Sequence, residues 1–100
     1  GLGEAWSKKT ANYTASDGDN IFADTSGGVF TITLPASPAL GAQVKIIDAE
    51  GTFATNNLTV GRNSLKIMGS AADLTVSTNS AGIALVYNDA DNGWRLKYND

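Results

Sequence analysis

Apolar and polar residues alternate in short runs along nearly the whole chain, and this period of two restricts the fold more than any other feature. In the run 29–34, Phe30, Ile32 and Leu34 point one way and Thr31 and Thr33 the other. The pattern recurs at Val44/Ile46, Leu58/Val60, Leu65/Ile67, Leu74/Val76, Ile83/Leu85/Tyr87 and Trp94/Leu96/Tyr98. Thr59, Lys66, Thr75, Arg95 and Lys97 occupy the intervening polar positions. One buried and one wetted face is the pattern of an antiparallel sheet. Between the runs stand turn clusters: Asp17-Gly18-Asp19-Asn20, Ser26-Gly27-Gly28, Glu50-Gly51, Asn56-Asn57, and the stretches 35–41, 79–82 and 88–93.

Short strands separated by such turns predict an all-β fold, an antiparallel β-sandwich that extends to a jelly-roll-like arrangement. At most one or two single-turn helices fit. One is at 37–40, with Ser37 capping and Pro38 at the first helical position, and the other at 70–73. Residues 58–69 read as one bent strand or, the favoured reading, a hairpin across Arg62-Asn63, with Gly61 and Gly69 at bulges or tight corners. No internal repeat marks a solenoid.

One hundred residues make one domain, which buries roughly two-thirds of its unfolded surface. The strand pattern places that domain at 13–100. Residues 1–12, which open Gly1-Leu2-Gly3-Glu4-Ala5 without an initiator Met, read as a lead-in from a longer chain. No apolar run approaches the ~20 residues of a membrane-spanning helix, and the start does not read as a signal peptide.

The chain has no cysteine and no histidine. Disulfides, zinc sites of the Cys/His kinds and catalysis by a His base or Cys nucleophile are thereby excluded. A net charge of −3 argues against nucleic acid as a partner. Ten Thr, eight Ser and nine Asn against 17% charged residues describe a polar-surfaced β domain.

Carboxylates are the remaining acid/base groups. Asp17/Asp19 and Asp89/Asp91 fall inside turn clusters, where Asp ordinarily shapes the backbone. Residues 89–100 evoke a calcium loop, but Trp94 stands where an EF-hand needs its sixth-position Gly and Gly93 where it needs a ligand, so no metal site is assigned. No phosphate-binding glycine motif is present, and no cofactor is expected. The triplets Asn12-Tyr13-Thr14 and Asn57-Leu58-Thr59 carry little weight in so Asn- and Thr-rich a chain. Among the aromatics, Trp6 and Trp94 are the candidate ligand-binding residues. Trp94 and Tyr98 also lie in phase with Leu96, which points to core packing, whereas Trp6 precedes the first clear strand.

A resemblance runs through the order of several segments: Tyr13-Thr14-Ala15, Asp24-Thr25-Ser26-Gly27-Gly28, Thr31-Ile32-Thr33-Leu34-Pro35-Ala36-Ser37-Pro38 with Gly41, Val44-Lys45-Ile46-Ile47-Asp48, Asn56-Asn57-Leu58-Thr59-Val60, Ile67-Met68-Gly69, Leu85-Val86-Tyr87 and Gly93-Trp94. From about Tyr13 to Leu96 the chain resembles a small β module of tail fibres, tail spikes and other appendages of tailed bacteriophages. The resemblance implies a non-catalytic virion structural role on the surface of the phage particle, commonly as a homotrimer among other virion proteins. It carries over no catalytic residue. Host attachment through a bacterial surface glycan is the accompanying expectation. Ile47, Met68 and Val86, out of phase with the core positions, are the candidate subunit-interface residues. A capsid-decorating or other virion-surface domain, and a carbohydrate-binding module of a larger enzyme, are the competing readings.

Overall fold

The computed structural model describes residues 5–97, which form strands and turns with no helix among them. The strands are β1 (Ser7–Lys9), β2 (Tyr13–Thr14), β3 (Asn20–Ala23), β4 (Phe30–Thr33), β5 (Gln43–Asp48), β6 (Leu58–Gly61), β7 (Leu74–Val76), β8 (Gly82–Asp89) and β9 (Gly93–Lys97). They build a five-stranded sheet in the order β1-β3-β5-β8-β9 and a four-stranded sheet in the order β2-β4-β6-β7.

The alternating residues turn inward as their period predicts. Ile21, Val44, Ile46, Leu85 and Trp94 from the first sheet meet Phe30, Ile32, Leu58, Val60 and Val76 from the second in one continuous core. Phe53 enters it from the β5–β6 connection, and Leu34 from just beyond β4. Each large apolar side chain buried this way stabilises the fold by about 1.5–3 kcal/mol relative to exposure.

Strand direction departs from the antiparallel expectation. β1, β3 and β5 pair in parallel, as do β2, β4 and β6, and only β5/β8, β6/β7 and β8/β9 are antiparallel. Both sheets are therefore mixed, unlike the antiparallel pairing of a jelly roll. The physical reason lies in the connections. From β1 to β6 the chain changes sheet at every step, so each strand returns to its own sheet running the same way as its predecessor. This is a coil, but one of unequal turns. Paired residues are separated by 14 positions (Ser7 and Ile21), 19 (Tyr13 and Ile32), 25 (Ile21 and Ile46) and 28 (Phe30 and Leu58). No fixed period can arise from such turns, which is why no repeat marks the sequence.

Three further expectations are corrected. Residues 37–40 and 70–73 form bends and turns rather than helical turns. The expected lead-in, residues 1–12, contains β1, an edge strand hydrogen-bonded to β3, so the folded unit reaches at least to Ser7. A tight turn does form at Arg62, whose carbonyl accepts the Leu65 N–H at 3.1 Å across Asn63 and Ser64, both at positive φ (51° and 68°). The segment after it does not pair back on β6, however. It runs beside β9, where the Lys66 carbonyl accepts the Trp94 N–H and the Met68 N–H reaches the Trp94 carbonyl, each at 2.8 Å. The antiparallel partner of β6 is β7. Gly69 (φ 77°) does occupy a tight corner, while the irregularity in pairing falls between Tyr87 and Asp89.

Candidate functional site

The outward face of the five-stranded sheet follows from register. Lys8, Phe22, Ile47 and Gly82 form one row across β1, β3, β5 and β8. Asn20, Lys45, Ala84 and Lys97 form the next, and Gln43, Val86 and Arg95 a third. Trp6, immediately before β1, stacks on Phe22 with ring centroids 5.0 Å apart and planes tilted by 43°. The two residues remain 38% and 37% exposed, so an aromatic pair stands at one side of a face that mixes basic and amide side chains with Ile47, Ala84 and Val86.

A groove of about 540 Å³ opens beside Trp6, lined by Trp6, Gln43, Lys45, Ile47, Gly82, Ile83, Ala84, Leu96 and Lys97. Gly82 and Ala84 of β8 are the small residues of this lining. On another side Trp6 borders a second cleft, of about 450 Å³, with Ala5, Ser7, Gly18, Asp19 and Asn20. The Asn20 side-chain amide donates to the Ala5 carbonyl at 3.2 Å and ties the start of the described chain to β3. Lys8 bridges to Glu50 at 3.3 Å and Asp24 at 3.9 Å.

Asp17, Asp19 and Asp89 of the turn clusters are engaged in shaping the backbone. Asp17 accepts the Gln43 N–H at 2.9 Å. Asp19 accepts the Ser16 N–H at 2.9 Å and the Tyr13 hydroxyl at 2.7 Å. That hydrogen bond, followed by burial and the carboxylate's charge, raises the Tyr13 pKa. Asp89 accepts the Asn92 N–H at 2.7 Å, a bond that holds its carboxyl below the usual range. Asp24 is lowered likewise by the Ser26 hydroxyl and N–H.

Asp48 is the buried member of this set, 6% exposed at the end of β5. It accepts the N–H groups of Thr52 (3.1 Å), Phe53 (3.0 Å) and Ser80 (2.9 Å), joining two connections to one strand end. Burial pushes its pKa up, but the N–H groups of Phe53, Ser80, Thr52 and Glu50 outweigh that and leave the carboxyl below its ordinary value. Beside it the Thr25 and Thr52 hydroxyls share a hydrogen bond at 2.8 Å. Among the described residues no three His, Cys, Asp or Glu side chains gather where they could hold a metal ion.

The sequence-derived candidates separate in space. Trp6 and Ile47 line the same groove. Val86 lies on the same sheet face, two rows from Ile47 and opposite Gln43. Met68 occupies a turn outside the β9 edge, 41% exposed and at φ 53°, with its sulfur 3.2 Å from the Leu96 N–H. Trp94 takes the core placement to which its phase with Leu96 points. It is fully buried against Tyr87, ring centroids 5.4 Å apart, with its indole Nε1 unpaired, and presents no face to a ligand. Tyr98 and Asp100 lie outside the described residues. Sequence reasoning passed over Phe22, Gln43, Lys45 and Lys97. Their signal was their position at the polar phase of strands whose apolar phase is core.

No protein-family model and no curated protein matches the chain.

Proposed function

We propose that this chain is a non-catalytic structural module of a tailed-phage tail fibre or tail spike, a two-sheet β-sandwich on the virion surface that assembles as a homotrimer and presents the Trp6 groove to the bacterial surface. The observation that carries the reading is the aromatic pair Trp6/Phe22 standing exposed beside a groove on the outward sheet face. Exposed aromatic rings beside amide and ammonium groups are typical of recognition surfaces. The residue resemblance over 13–96 supports the virion assignment. The employment of Asp17, Asp19, Asp48 and Asp89 in holding backbone N–H groups fits a domain without acid/base chemistry.

Assembly has its own rationale, because a small domain without disulfides or metal has a stability of only ~5–15 kcal/mol. Val86 and Met68, beside β9 and away from Trp6, would be covered between subunits, leaving the groove open. Sedimentation of the chain at micromolar concentration tests the assembly, and adsorption to bacterial cells tests the attachment. A trimer that adsorbs is the expected result. A clean monomer overturns obligate trimerisation, and a trimer that adsorbs to no host removes the attachment role. A carbohydrate-binding module of a larger enzyme is the second reading, favoured by the same groove.

A further inference from the structure

We propose that Asn92 is a site of spontaneous deamidation, and that its conversion releases segment 66–69 from the edge of β9. Asparagine is a thermolabile residue, most of all before one too small to shield the next backbone nitrogen. Three Asn in the chain precede Gly or Ser: Asn63-Ser64, Asn79-Ser80 and Asn92-Gly93. The fold restrains the first two. The Asn63 side-chain amide donates to the Leu34 carbonyl at 3.0 Å, and the Asn79 side-chain oxygen accepts the Ala54 N–H at 2.8 Å. Each is thereby tied to a distant part of the backbone. Asn92 is exposed, and its side-chain amide bonds to the Asp89 carboxylate at 3.2 and 3.4 Å stay within its own turn. Nor can a larger residue shield it, because Gly93 combines positive φ with a Lys66 carbonyl that leaves no room for a Cβ. The contact that seats segment 66–69 on β9 therefore keeps the vulnerable pair in place.

The Gly93 nitrogen attacks the Asn92 Cγ and passes its proton through water to the departing amide, which leaves as ammonia. A cyclic succinimide closes with no change of oxidation state, and water then opens it. Cleavage between nitrogen and Cγ gives aspartate at position 92. Cleavage between nitrogen and the former main-chain carbonyl carbon gives isoaspartate, whose backbone runs through Cβ and Cγ and is longer by that one carbon. The Asn92 carbonyl accepts the Gly69 N–H at 2.9 Å, and the Trp94 bonds to Lys66 and Met68 follow directly after Gly93. In isoaspartate that carbonyl becomes a carboxylate off the chain, and the added carbon displaces Gly93 and Trp94 relative to Lys66. Aspartate acts more mildly, setting a second carboxylate where Asp89 now receives an amide donor.

Peptide mapping by mass spectrometry tests this on the full chain, aged at pH 7 and pH 9, folded and in urea. In the folded chain the mass change of amide to acid should appear first at Asn92, faster at pH 9, as both aspartate and isoaspartate. Folding should slow Asn63 and Asn79, each relative to urea, more than it slows Asn92. Asn92→Gln, whose longer side chain closes a ring far less readily, should lose the signal at this place. Hydrogen exchange reads the release: the Met68 and Gly69 amides should exchange several-fold faster in the isoaspartate fraction, with Ile46 unchanged. Earlier conversion of Asn63 or Asn79, folding that protects Asn92 as strongly as either, or no conversion of folded Asn92 at pH 9 would each overturn the site. Unchanged exchange at Met68 and Gly69 in the isoaspartate fraction would overturn the release.

Discussion

The backbone of Gly93 lies against the carbonyl of Lys66 so closely that no side chain fits between them. Gly93 has φ 69°, and a Cβ built on it would collide with the Lys66 carbonyl. The next residue, Trp94, donates its N–H to that same carbonyl at 2.8 Å. Gly93→Ala therefore combines a left-handed backbone with displacement of the segment that covers the β9 edge. A loss of about 3 kcal/mol or more is expected in urea denaturation. Gly27, with open space around it and no positive φ, is the control, and its change to Ala should fall within about 0.5 kcal/mol.

Asp48 gives acid stability a specific origin. Its folded pKa lies below that of the unfolded chain, so its contribution is complete above the ordinary carboxylate range, about pH 4, and is lost as pH falls through the folded value. Asp48→Asn should lower stability at neutral pH by about 2–4 kcal/mol, because the amide keeps a single acceptor oxygen and its NH2 must face at least one of the N–H groups of Thr52, Phe53 and Ser80. It should also flatten the acid limb of the stability profile. Chemical denaturation between pH 2 and 7 reads both effects, and an unchanged acid limb would assign the dependence to other groups.

Ser64 offers a gain. It is exposed and sits at φ 68°, next to Asn63 at φ 51°. Asn tolerates this region, and its side-chain amide also donates to the Leu34 carbonyl at 3.0 Å. Serine has no such aptitude. Ser64→Gly should raise stability by up to about 1 kcal/mol, the relief of a strained backbone exceeding the entropy of an added glycine. A fall in the denaturation midpoint would contradict this.

The two tryptophans should report on different places. Trp6→Phe leaves Trp94 alone, with blue-shifted emission resistant to acrylamide; Trp94→Phe leaves the exposed Trp6, with red-shifted emission that is readily quenched. Because the Trp94 Nε1 has no partner, its change to Phe removes packing volume but no hydrogen bond, at a cost of about 1–2 kcal/mol. Equal quenching in the two variants would contradict these placements.

The core was legible because burial writes itself into alternate positions: Phe30, Ile32 and Leu34, then Val44 and Ile46, then Leu58 and Val60 all face inward. Direction was not, since a strand alternates identically whether its neighbour runs with it or against it. The turn at Arg62 could be read locally, but the strand beside β6 could not, because β7 begins only at Leu74. The groove was half visible. Trp6 and Ile47 were singled out separately, yet they are 41 positions apart in sequence and meet only because β1, β3 and β5 stack in one sheet. Asp48 gave no local sign of its role, for one of its donors, Ser80, lies 32 residues away.

The outermost position of β1 also determines how firmly the Trp6 side of the groove is held. This three-residue strand has one neighbour in the sheet, β3, whereas β5 is flanked on both sides. Fraying begins at such margins and needs far less free energy than global unfolding. Amide protons on β1 should accordingly exchange much faster than that of Ile46, and the indole wall of the groove should come and go with them. On the proposed attachment reading, affinity at this surface is set jointly by the contacts made and by the fraction of molecules in which the first strand is docked.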